Sequence, residues 1–138
     1  MAEESFVEIE SNRIGEVKRL LLSQMDDAVQ AVTREGERFV KEGIRDTPKT
    51  GNVYVKGGVI HIASSEGEFP AIDTATLINS INVQQVRPAV WKLRFGTYYA
   101  ILLEYGTPTM APRPLSEPTE LHLLAEGIHI ARQYLDVV

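Results

Sequence analysis

The chain has 138 residues, 43% hydrophobic and 24% charged, which suits one folded domain over residues 1–138 and argues against wholesale disorder. With 14 Lys and Arg against 19 Asp and Glu, its formal charge of -5 has the wrong sign for gripping nucleic-acid phosphates by net attraction. The absence of cysteine excludes disulfides, zinc-thiolate sites and cysteine nucleophiles, and no apolar run approaches the roughly 20 residues that span a bilayer.

The acidic start MAEESFVEIE lacks the basic flank of a signal peptide, so neither export nor membrane insertion is expected. From Ile14 to Ile44 the apolar residues Ile14, Val17, Leu21, Met25, Ala28, Val32 and Phe39 recur at steps of three, four or seven, the period of an amphipathic helix. Ser11 or Asn12 is placed to cap its start, and Pro48 ends it by disfavouring helical geometry at Thr47. About thirty residues at 1.5 Å each extend about 45 Å, more than one small core needs. Part of the helix is therefore expected to pack on another chain, unless a kink at Gly36 or Gly43 folds it back on its own domain.

The stretch NVYVKGGVIHIAS reads as a hairpin whose Gly57-Gly58 supplies the positive φ angles of a tight turn. A loop containing Pro70 follows, with Asp73 or Thr74 placed to cap a short helical turn. Two further strands, SINVQQV and VWKLRFG, flank a turn at Pro88, and Trp91, Leu93 and Phe95 alternate with Lys92 and Arg94 as in a half-buried strand. Ser116 or Thr119 can cap a last helix, with Pro118 in its first turn and Leu121, Leu124, Ile128, Ala131, Leu135 and Val138 as its expected buried stripe. The predicted architecture is α+β: a long N-terminal helix, a small antiparallel β-sheet of about four strands and a C-terminal helix.

Candidate chemistry is sparse. His122, Glu126 and His129 share one face of the last helix at a spacing able to ligate a metal, but Leu121, Leu124 and Ile128 are expected to take the buried side and leave that face to solvent. His61 is expected on the outer face of its strand or in a satisfied contact. Glu66, Glu68 and Asp73 could hold magnesium in a metal-dependent hydrolase or nuclease, and equally suit a solvated turn between Gly67 and Pro70. Nucleophile-elbow, phosphate-loop and zinc-protease motifs are absent, so no catalytic residue, cofactor or metal is assigned and a non-enzymatic role is expected.

The segment YYAILLEYGTPTMAPRPL resembles the closing signature of the small neck and tail-component proteins of long-tailed bacteriophages. In that family a tyrosine-alanine run leads to a glutamate, an aromatic residue, Gly-Thr, and an Arg-Pro step before the final helix. Upstream, PKTGNVYVKGGVIHIASSEGEFPAIDTATLINSI is similar to the same family's Gly-x-Val-Tyr hairpin, Ser-x-Gly-Glu-x-Pro-Ala loop and Asp-Thr-x-x-Leu-x-x-Ser-Ile segment, in the same order. Two positions depart from the pattern. Ala75 stands where relatives carry glycine, so a helical rather than left-handed turn is expected there, and LSEPTELH lacks the aromatic residue usual after Arg-Pro.

The resemblance implies a virion protein, made in the host cytoplasm, that forms a homo-oligomeric ring at the head-tail junction. Such a ring joins neighbouring head-completion and tail proteins and surrounds a channel through which DNA passes without sequence-specific binding. A tail terminator or tail-completion protein capping the tail tube is the alternative within the class. The expected interface comprises Glu104, Tyr105, Gly106, Thr107, Met110, Arg113 and Pro114, with Glu68, Phe69 and Pro70. On physical grounds, a carboxylate ending an apolar run needs a partner or a route to water. Arg113 is the nearest cation along the chain, so Glu104 and Arg113 are expected to meet, within one subunit or across two, in a loop stiffened by Pro108, Pro112 and Pro114.

Overall fold

The computed structural model describes residues 13–71 and 75–135. The proposed caps Ser11, Asn12, Asp73 and Thr74, and Val138 of the last stripe, lie outside them. Helix α1 (Ile14–Asp46) runs without interruption and ends at Thr47, whose φ of -75° and ψ of 131° are the extended geometry a following proline favours. Gly36 and Gly43 within it serve close approach. A Cβ at Gly43 would lie 2.6 Å from the Phe69 ring, and one at Gly36 would lie 3.0 Å from Leu123 Cδ1.

Strands β1 (Val53–Lys56) and β2 (Val59–Ile62) form the expected hairpin, with Gly57 and Gly58 at φ 59° and 79°. Helix α2 (Thr76–Ser80) leads into β3 (Ile81–Arg87), which pairs antiparallel with β4 (Val90–Phe95). The β3–β4 turn places Pro88 before Ala89, and Ala89 has φ 61°, the left-handed geometry of a type II turn. Helix α3 (Ala100–Tyr105) and helix α4 (Ser116–Arg132) complete the chain.

The architecture is α+β with helices at both ends, but the four strands make two separate two-stranded sheets instead of one. The β3–β4 pair lays Trp91, Leu93 and Phe95 toward α1, so it has a buried face. The β1–β2 pair does not: Val53, Val55, Val59, Ile60 and Ile62 are all exposed, and only Tyr54 and His61 are half-buried, stacked across the strands at 5.4 Å. Strands with no buried face have little to fix them against a second sheet.

The core gathers Val40 and Ile44 of α1, Leu77 of α2, Ile81 of β3, Ala100 of α3, and Leu115 at the entrance to α4. Val40, Ile44, Ile81 and Leu115 are fully enclosed, and burying each aliphatic side chain contributes about 1.5–3 kcal/mol relative to exposure. This core holds α3 and the start of α4 at one end of the molecule.

Helix α4 packs with the opposite face from the one expected. Leu121, Leu124 and Ile128 point to solvent, with Leu124 76% exposed, while Thr119 and Gly127 are buried. Small residues let the α4 backbone approach α1 closely, and a Cβ at Gly127 would already touch Val32 Cγ1 at 3.5 Å. The size of a side chain was therefore a poor guide to the packed face. His122 also turns inward, stacking on Phe39 with ring centroids 4.1 Å apart and hydrogen-bonding Glu35 at 2.8 Å.

Candidate functional site

The two segments singled out for an interface, residues 68–70 and 104–114, do come together. Gly67 N–H donates to Pro112 O at 3.1 Å, and Arg113 N–H donates to Leu103 O at 2.7 Å. Between them the chain makes a tight turn in which Thr107 N–H bonds Met110 O at 2.8 Å and Met110 N–H bonds Thr107 O at 3.2 Å. Gly106, at φ 74°, makes this possible: a Cβ there would lie 2.7 Å from Met110 O.

Glu104 and Arg113 do not pair within the subunit. The Glu104 carboxylate receives Leu115 N–H at 2.7 Å, Ser116 N–H at 3.0 Å and the Ser116 hydroxyl, so it caps α4 from a different helix. Neither Ser116 nor Thr119 supplies that cap; Thr119 instead donates back to Leu115 O at 2.7 Å. Burial raises the Glu104 pKa, but the donors at Ser116 and Leu115 outweigh it and hold the carboxyl below its usual range. A free helix N-terminus with positive partial charge is a better partner for a half-buried carboxylate than a guanidinium already engaged elsewhere.

Arg113 is engaged by the segment leaving β2. Its Nη2 donates to Ser64 O at 2.8 Å, its Nε to Ser64 Oγ at 3.2 Å, and its Nη1 to Ala111 O. Glu68 does similar work on the other side, accepting from Ser65 N–H at 2.8 Å, Thr50 N–H at 3.2 Å and the Thr50 hydroxyl. The Ser65 amide, then the Thr50 hydroxyl, hold its carboxyl below the usual range. It is thus a loop clamp; Glu66 is exposed, and Asp73 lies outside the described residues. Among the described residues no three His, Asp or Glu side chains gather to hold a metal.

Phe69 packs edge-on against Phe39 at 5.8 Å, Pro70 is buried, and Met110, Thr107 and Pro114 are half-buried. Most of the expected interface residues therefore brace the loop from within. What they present outward is α3. Tyr98, Ile101, Leu102 and Tyr105 follow one another at helical spacing and all face solvent, Tyr98 87% and Tyr105 76% exposed, while Ala100 and Leu103 face the core.

Comparison with models of protein families, with curated proteins and with solved structures finds no match to this chain. The geometry of the site therefore carries the functional reading together with the motif resemblance.

Two features of the structure, one at the site and one away from it, carry no sign in local sequence pattern that the reading above used. One is the outward face of α3 and the turn before it, whose signal is the helical spacing of Tyr98, Ile101, Leu102 and Tyr105. The other is Asp26 of α1, whose Oδ1 accepts from Ala89 N–H at 2.7 Å, Trp91 Nε1 at 2.9 Å and Gln85 Nε2 at 2.9 Å. The Ala89 amide, then the Trp91 indole, depress its pKa. Asp26 thereby fastens the β3–β4 hairpin to α1, a contact across about sixty residues that no local pattern reveals.

Proposed function

We propose that this protein is a structural virion component that forms a ring at the head-tail junction, joins head to tail, and encircles the channel by which DNA leaves. The observation that carries this reading is the α3 face: exposed apolar side chains Ile101, Leu102 and Tyr105 of α3, with Tyr98 in the turn before it, stand beside a loop tied down by Glu104, Arg113 and Glu68. Contiguous apolar surface is rare on a monomer that stays alone and marks sites of association. A surface already rigid before docking loses little entropy when it docks. Tyrosines at such a site offer large contact area with a hydrogen-bonding tip.

Further uncovered apolar side chains on the β1–β2 hairpin and on the first turns of α1 favour a subunit contacted on several sides, as in a closed ring, over a partner bound at one spot. The net charge of -5 suits the wall of a DNA channel, because like charge keeps the duplex from adhering. A tail terminator makes the same demands on its subunit and differs in which neighbour meets the α3 face.

The test is assembly in the absence of the protein. Filled heads and finished tails are expected to accumulate separately and to join when purified protein is added. Firmly attached, infectious tails formed without it would overturn the proposal.

A further inference from the structure

The stripe by which α1 packs on its own domain does not stop where the domain stops. Below Ala28 the stripe is covered: Gly36 lies against Leu123 and Thr119, and Val32 lies against Gly127. These contacts run α4 antiparallel to α1, and α4 closes at Arg132, about 7.5 Å past Gly127 and level with the turn of Ala28. Above that level Val17, Leu21, Leu22 and Met25 continue the stripe in the open, edged by Arg13 and Lys18. The outer face of α4 is open as well. Leu121, Leu124 and Ile128 form a second apolar ridge, and the acidic residues Glu117 and Glu120 stand at its N-terminal end.

From these two faces we infer that the projecting end of α1 of one copy docks on the outer face of α4 of the next. The spacings agree: Val17, Leu21 and Met25 step by four and four, and Leu121, Leu124 and Ile128 by three and four. Laid parallel, Val17 meets Leu121, Leu21 meets Leu124 and Met25 meets Ile128, which sets Lys18 beside Glu120, and beside Glu117 it sets Arg13, whose exposed guanidinium also meets Glu16 of its own helix at 2.9 Å. Charge also disfavours the parallel like pairs, because two α1 ends laid that way would bring Lys18 against Lys18 and two α4 faces would bring Glu117 against Glu117. Two different faces on one subunit give a heterologous contact, which propagates head to tail and closes if the rotation allows. The inference deepens the ring reading and rests on it for the expectation that copies of this chain meet one another.

The chain has no cysteine, so introduced ones report without background. Val17→Cys and Leu121→Cys replace exposed side chains and leave the core untouched. Within one subunit the two cannot meet, since the turn of Leu121 lies opposite Gly36, about 28 Å along α1 from Val17. On mild oxidation of a concentrated equimolar mixture, the mixed disulfide is expected to exceed either homodimer at least fivefold. Lys18→Glu in the Val17→Cys chain should cut its yield several-fold, and Glu120→Lys in the other chain should restore it. Predominant Val17→Cys homodimers would show a symmetric contact and overturn the inference. So would the absence of any cross-link, the result expected if the stripe were covered from within its own chain. A mixed disulfide with no effect of the protein on head-tail joining would instead refute the virion role and leave the contact standing.

Discussion

Glu104 and Ser116 are joined across two helices: the carboxylate at the end of α3 accepts both the amide and the hydroxyl of the first residue of α4. This one side chain fixes the distance between the exposed α3 face and the helix that follows the proline-rich loop. Truncating it would leave the Leu115 and Ser116 amides without their acceptor. Glu104→Ala is expected to cost about 1–2 kcal/mol in denaturant unfolding, the range of a lost helix cap. A change below about 0.3 kcal/mol would mean that water replaces the carboxylate.

Arg113→Ala should act more locally, because its guanidinium ties the loop to Ser64 and leaves the core untouched. Hydrogen exchange is expected to speed up at Gly67, whose amide bonds Pro112 O, while the amides of β3 and β4 keep their protection. Arg113→Lys should restore little, since an ammonium cannot reproduce the fork that meets Ser64 twice.

Among the described residues the pH dependence follows from four carboxylates held below their usual range: Asp26 by the Ala89 amide, Glu35 by the Arg38 guanidinium, Glu68 by the Ser65 amide, and Glu104, where the Ser116 and Leu115 donors outweigh burial. A depressed folded-state pKa contributes stability that is complete above the unfolded value, about 4, and is lost as pH falls through the folded value. Unfolding free energy is therefore expected to be nearly flat from pH 7 to about 5 and to fall below about 4. Glu104→Gln should start lower at pH 7 and lose less on acidification, so that the two curves converge in acid.

Two alanines sit in the left-handed region, Ala75 at φ 60° and Ala89 at φ 61°. At Ala75 the helical turn expected from the missing glycine does not form; the backbone keeps the left-handed shape and alanine bears the strain. Relieving about 1–2 kcal/mol of strain while adding back part of it as unfolded-chain entropy leaves a net gain of about 0.5–1 kcal/mol for each change to glycine. Thermal melts of Ala75→Gly and Ala89→Gly should rise by about 2–5 °C. The reverse experiment is Gly43→Ala, whose methyl would collide with the Phe69 ring and should cost about 1–3 kcal/mol.

The parts of the fold legible in the sequence were those written in local pattern. Pro48 ended α1, Gly57-Gly58 turned the first hairpin, and the alternation from Trp91 to Phe95 marked a half-buried strand. The failures share a cause: each depended on a residue distant in the chain. Leu121, Leu124 and Ile128 look like a core stripe by themselves, and only the close fit of Gly127 and Thr119 on α1 turns them outward. Glu104 looked short of a cation, yet the helix start eleven residues later offered three donors in one place. Asp26 gave no local sign at all of its hold on Ala89 and Trp91.

The central claim is that the α3 face is a docking surface which the fold itself does not need. The most direct measurement pairs Ile101→Asp with Tyr105→Asp, both at exposed positions, and reads folding and head-tail joining in the same preparation. The account predicts a double variant with an unchanged circular dichroism spectrum and a melting temperature within a few degrees of the parent, which fails to join heads to tails. A folded double variant that joins them as well as the parent would contradict it.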